Sequence, residues 1–222
     1  MMIQVYAVDA AGQNFMDERW SRYLSAGRQE EAAGIRQERH RQLFLGAEAL
    51  LNRSLEAAGA PVELPAAYTR NRHGKPYLTA AEGLYVNWSH SGTRAVCALS
   101  DREVGIDLQD TCREPGEALI RRVLQPEERD FYERTPTDRR KKLFYEYWTV
   151  KESVLKAFGT GFCTSLERFY VRMDRTYPEV ISSGALPSYT CRLLDAGEGY
   201  AAAVCVEGVH PGMDAQIPVK YL

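Results

Sequence analysis

Hydrophobic and polar positions along the 222-residue chain change period several times, and each change marks an element. Residues 2 to 8 read as a strand, and residues 17 to 58 as two helices, one charge-rich around "RQEEAAGIRQERH" and one apolar along "LFLGAEALLNRSL". Leu43, Ala47, Leu50, Leu51 and Leu55 recur at helical spacing and predict a stripe that faces a core. Pro61 and Pro65 end that pattern. "RNRHGKPYL" then predicts a turn, "LYVNWSH" a short strand, and "RAVCALS" with "EVGIDLQD" a hairpin about Asp101. Helices are expected after Pro115 and after Pro126, and a long one over residues 138 to 158. Beyond Gly159 and Gly161 the pattern is that of strands, with turns near Pro178, Gly184 and Gly197.

The order of these elements repeats, with long amphipathic helices followed at some distance by strands in both parts of the chain. "AVCAL" at 95 to 99 is echoed by "AVCVE" at 203 to 207. The expected class is therefore α+β, built of two similar halves at residues 1–103 and 104–222.

Composition narrows the function rather than the fold. Hydrophobic residues make up 45% and charged residues 26%, with a formal net charge of −2, so no global nucleic-acid footprint exists and an anionic ligand must be met locally. The five cysteines, Cys97, Cys112, Cys163, Cys191 and Cys205, form no CxxC pair, which predicts neither a disulfide framework nor a zinc site and points to a reducing compartment. No basic n-region opens the chain and no 18-residue apolar run occurs, so a cytoplasmic protein without membrane association is expected.

Candidate chemistry begins at "VGIDLQD". On a strand, Val104, Ile106 and Leu108 share one face, and Gly105, Asp107 and Gln109 the other. An aspartate backed by an apolar strand needs a backbone donor, a basic group or a metal ion, unless it merely starts the next turn with Asp110. In the long helix, Trp148, Glu152 and Lys156 fall at i, i+4 and i+8 on one stripe hemmed by aromatics, with Lys151 beside them. The bland alternative is a surface ion pair; the other is a carboxylate flanked by two lysines, suited to an anion and a metal. Gly74-Lys75-Pro76 is a turn presenting one cation or a solvated loop. Ser89 and His90 are neighbours on a strand, point to opposite faces and so form no nucleophilic dyad. His40, His73 and His210 are isolated and carry no assignment. Walker A, GxGxxG and HExxH sequences are absent, so any phosphate is held by side chains.

Gly105-Ile106-Asp107, then 40 residues, then Trp148-Thr149-x-Lys151-Glu152-Ser153-x-x-Lys156 resembles the two-part signature of the 4′-phosphopantetheinyl transferases. Length, "GKPYL" and "NWSHSG" resemble the Sfp-type branch, whose single chain folds as two similar α+β halves in a pseudo-twofold arrangement. The resemblance implies transfer of the phosphopantetheine arm of coenzyme A to a serine of an apo acyl or peptidyl carrier protein, releasing 3′,5′-ADP. It implies Mg²⁺ held by Asp107 and Glu152, Lys156 and Lys151 on the diphosphate, and Lys75, Ser89, His90 and Arg41 on the rest of coenzyme A. The two motifs are taken as one from each half, which puts the site in the cleft between them. Where many members carry a glutamate, this chain has Gln109, which predicts a weaker metal site with two carboxylates and Gln109 as the remaining candidate ligand. Whether Glu152 takes the serine proton directly or through a metal-bound water stays open. A coenzyme A-binding module without transferase activity is the alternative. The carrier can belong to fatty acid, polyketide or peptide synthesis; Arg121, Arg122 or the "DRRKK" run at 138 to 142 could dock its acidic surface, and a monomer is expected.

Overall fold

In the computed structural model, residues 3–160, 166–182, 184, 187–208 and 216–222 are described; Gly161, Cys163 and His210 lie outside them. Strand β1 (Ile3–Asp9) leads into helices α1 (Glu18–Ser21), α2 (Ala26–Ala33) and α3 (Glu38–Ala57). A small hairpin, β2 (Tyr68–Arg70) and β3 (Pro76–Leu78), precedes β4 (Tyr85–Ser91), β5 (Arg94–Ser100) and β6 (Val104–Asp110). Then come α4 (Glu117–Val123), α5 (Pro126–Arg134) and α6 (Thr137–Phe158). The chain continues through β7 (Phe169–Arg172), β8 (Glu179–Ser182), β9 (Tyr189–Leu194), β10 (Tyr200–Glu207) and β11 (Val219–Tyr221).

The two larger sheets have the orders β11-β1-β5-β4 and β6-β10-β9. Leaving β11 aside, the two orders are the same when β1, β5 and β4 are matched to β6, β10 and β9, and every pair among them is antiparallel. In each unit the long helix, α3 or α6, lies between the first strand and the other two in chain order. The echo of "AVCAL" and "AVCVE" falls on β5 and β10, the middle strands of the two sheets. The α+β class holds, and helix-on-sheet packing occurs twice. Strand β11 then returns to the first sheet, parallel to β1.

Alternation of side chains divides the interior into three cores. Ala95, Cys97 and Leu99 of β5 face the α3 side with Leu45, Leu50, Leu51 and Leu55. Ala201, Ala203 and Cys205 of β10 face α6 with Phe144, Tyr147, Val150 and Val154. Between the sheets, Val5, Ala7, Val96 and Ala98 meet Val104, Ile106, Leu108, Ala202, Val204 and Val206. The layers run helix, sheet, sheet, helix.

Three local expectations change. Residues 17 to 58 hold three helices, because the charge-rich stretch breaks at Gly34 between α2 and α3. Strands β5 and β6 do not form a hairpin: β5 is already paired on both edges, by β1 and β4, so β6 crosses to the second sheet and pairs with β10. The tight hairpin is β4–β5, through the turn at Gly92. Cys191 and Cys205, directly opposite in the β9–β10 register, form a disulfide with an S–S distance of 2.17 Å, contrary to the reading of unpaired cysteines. Cys97 (buried) and Cys112 (exposed) are free.

Candidate active site

Helix α6 owes its position to one glycine and one cap. A Cβ built on Gly105 would lie 2.0 Å from the Ser153 carbonyl oxygen and 2.3 Å from the Ala157 nitrogen, so only glycine lets the helix backbone cross β6 this closely. At its C-terminus Gly159 adopts φ +75°, and side chains of the β2–β3 hairpin take up the exposed carbonyls. Lys75 Nζ donates to the Ala157 carbonyl at 2.6 Å, and Asn71 Nδ2 to that of Gly159 at 2.8 Å.

With the helix so placed, Lys156 reaches Asp107. Its ammonium donates to Asp107 Oδ1 at 2.6 Å, to Ser89 Oγ at 2.9 Å and to the Ile106 carbonyl at 3.1 Å. Asp107 is 2% exposed, and its carboxylate also accepts from Ser89 Oγ (2.9 Å, Oδ1) and Gln109 Nε2 (2.9 Å, Oδ2). One helical turn away, Glu152 lines a cavity of about 140 Å³ with Leu119, Val123, Trp148 and Arg122. Loss of hydration, and then the negative charge of Asp107, push its pKa up to about 7 against the pull of Lys156 and Arg122. Trp148 is fixed for this role by stacking on Tyr145 and by an edge contact with Phe144.

The remaining expected residues are placed differently. Lys151 is 1% exposed and lines the same cavity as Glu152, but its ammonium is engaged elsewhere: it donates to Glu128 Oε2 at 2.6 Å and to the Val123 carbonyl at 2.7 Å. Burial lowers the Lys151 pKa and raises that of Glu128, each opposed by its partner's charge. Lys75 is also buried, paired with Glu103 and the end of α6, so the turn is neither solvated nor presenting a free cation. Arg41 pairs with Glu38 on the wall of a separate cavity of about 820 Å³, which extends to Gly92 and Thr93. His90 is exposed beside the cluster; partial desolvation, then the charges of Lys156 and Arg28, lower its pKa, with Asp107 opposing. Both motifs lie in the second of the two repeated units, because β6 opens it; the first unit contributes the edge of β4, with Ser89 and His90. That corrects the assignment of one motif to each half.

Among the described residues, no group of three or more His, Cys, Asp or Glu side chains is arranged as a metal site. The hard oxygen atoms of Asp107 and Glu152, with the amide oxygen of Gln109, nevertheless match what Mg²⁺ prefers, and both the loss of hydration and the Asp107 charge that disfavour ionised Glu152 are what a cation would relieve. Gln109 itself presents its NH₂ group to Asp107. Sequence reading missed Glu128, whose partner Lys151 lies on another helix. It also passed over Asn87 and Ser91, although polar residues at 87, 89 and 91 of a strand are a legible signal of a polar edge.

Residues 103–205 match the family model of the 4′-phosphopantetheinyl transferase superfamily, a span that includes Asp107, Gln109, Glu152 and Lys156. Through this segment, just under half of its length, the chain is similar to that superfamily. A 4′-phosphopantetheinyl transferase of Bacillus subtilis is 33% identical over 151 residues, 67% of this chain and 65% of the relative. The transferase Sfp of Bacillus subtilis strain 168 is 28% identical over 152 residues, 68% of this chain and 66% of Sfp. The matched stretch is thus just under two thirds of each relative's length. A holo-(acyl-carrier-protein) synthase from Bacillus anthracis, solved with CoA (3′,5′-ADP), superposes with a TM-score of 0.42 and 25% identity, over 48% of this chain and 96% of the synthase. The phosphopantetheinyl transferase signature and the Asp107–Lys156–Glu152 cluster therefore coincide in one segment.

Proposed function

We propose that this chain transfers the 4′-phosphopantetheine arm of coenzyme A to a serine hydroxyl of an apo acyl or peptidyl carrier protein, releasing 3′,5′-ADP. The observation that supports this reading is the Asp107–Lys156 contact at 2.6 Å beside a carboxyl, Glu152, with a pKa of about 7. In the reaction the serine oxygen forms a bond to the pantetheine-side phosphorus while the bridging P–O bond breaks and its electrons leave with 3′,5′-ADP. The serine proton needs an acceptor. The reading gives that role to Glu152, which lines a small, mostly apolar cavity and is partly unprotonated at neutral pH. Lys156, held by Asp107, Ser89 and the Ile106 carbonyl, directs its charge at the diphosphate. Asp107 and Glu152, with Gln109, would hold Mg²⁺, which when bound neutralises diphosphate charge.

Of the basic residues expected on coenzyme A, His90 and Lys156, which lie beside Asp107, are retained. Lys75 and Lys151 are buried in ion pairs elsewhere, and Arg41 lies on the wall of a separate cavity. The same reading takes the enzyme as a cytoplasmic monomer with halves at 1–103 and 104–222; among the described residues no helix is long and apolar enough to cross a membrane.

The test is to incubate the protein with coenzyme A, Mg²⁺ and apo-carrier proteins of several types and to weigh the carriers. A gain of one phosphopantetheine arm, lost in Asp107→Ala and Glu152→Ala, is expected. Carriers of unchanged mass, with coenzyme A merely bound or hydrolysed, would overturn the reading.

A further inference from the structure

Strand β6 carries Asp107 but, among the described residues, has a ladder partner on one side only, β10. Its other edge faces β4 of the first sheet, and no backbone ladder closes between the two. A buried amide left open on such an edge costs about 1–3 kcal/mol, so these groups need partners from elsewhere.

The side chains of β4 supply them. Asn87 Oδ1 accepts from the Ile106 amide at 2.9 Å, Ser89 Oγ donates to Asp107 Oδ1 at 2.9 Å, and Ser91 Oγ accepts from the Asp110 amide at 2.9 Å. Residues 87, 89 and 91 share one face of the strand, which is why three successive odd positions reach β6 together. Ile106 is the centre of this seam. Its amide is held by Asn87, and its carbonyl, on the same edge, accepts from Lys156 Nζ at 3.1 Å. Asn87 is 5% exposed and therefore set back from any ligand.

We propose that Asn87 is a positioning residue of the site, a stand-in for a missing neighbour strand that fixes the free edge of β6. It thereby aligns the Ile106 carbonyl and the Asp107 carboxylate on Lys156. Its kinetic consequence rests on the transferase reading; its structural content does not.

The test compares Asn87→Leu, similar in shape but without an acceptor, with Asn87→Asp, which keeps an acceptor oxygen at the same reach. Amide hydrogen exchange at Ile106 and transfer kinetics are measured on the full chain. In Asn87→Leu, exchange at Ile106 is expected to accelerate about tenfold or more, and kcat to fall by a similar factor, while KM for coenzyme A stays within about twofold. Asn87→Asp restores the protection and recovers part of kcat, a rescue that a bulk packing role would not produce. Unchanged exchange at Ile106 in Asn87→Leu, or no rescue by Asn87→Asp, overturns the proposal. Should Asn87→Leu fail to fold, the wild-type protein decides: an Ile106 amide exchanging as fast as an exposed one overturns it, and a protected one supports it. A wild-type protein that moves no phosphopantetheine would overturn the transferase reading alone, since the exchange measurements need no turnover.

Discussion

Glu152 lines a small cavity with Leu119, Val123 and Trp148, where its charged form loses hydration and the Asp107 carboxylate adds to the cost. Its pKa rises from an ordinary 4.5 to about 7, so the folded protein holds this proton more tightly than the unfolded chain does. The stabilisation this provides is complete below pH 4.5 and is lost as the pH climbs through about 7. Metal-free Glu152→Gln should therefore match the wild type near pH 4 and exceed it near pH 8, by about 2 kcal/mol after allowing for partial hydration. Urea denaturation at the two pH values checks this, and transfer by the same variant should be lost. Lys151 tests the opposite case. Lys151→Met leaves Glu128 buried without its cation and should cost about 3–5 kcal/mol of stability, measured by the same denaturation. The i, i+4, i+8 stripe of Trp148, Glu152 and Lys156 was legible from spacing alone. The direction of Lys151 was not, because one residue turns about 100° around a helix and its partner Glu128 lies on α5.

At the scale of elements, the contact of α6 with β6 sets the geometry of the site. Gly105→Ala would drive a methyl into the helix backbone near Ser153 and Ala157, neither of which can yield as a flexible side chain would. It should cost about 3 kcal/mol or more and move Lys156 off Asp107, lowering transfer; a stability curve together with kcat measures both effects. Most helices and strands were readable from period and from proline and glycine punctuation. The β5–β6 hairpin was misread, because strand pairing depends on which edges are already filled, and β1, nearly a hundred residues away, fills one edge of β5. The loop "RNRHGKPYL" was misread for a related reason: its lysine and asparagine close the end of a helix that begins about sixty residues later.

The whole molecule is joined by the core between its sheets, where Val5, Ala7, Val96 and Ala98 meet Ile106, Leu108 and Val204. Neither sheet can unfold without exposing the apolar face of the other, and β11 ties the end of the chain to β1. A single thermal transition is expected, with tryptophan fluorescence and far-UV circular dichroism coincident; two resolved steps would show that the units are separable. By itself the sequence determined the α+β class, the repeated order of elements, the apolar stripes and the pairing of Asp107 with the Glu152–Lys156 helix, since each rests on local period or on a spaced motif. Only the tertiary structure decided which cations stand at the site. Lys75 and Lys151 look like Lys156 in a string of letters, but burial forces each charge to find a partner, and whether that partner is Glu103, Glu128 or Asp107 is chosen in space.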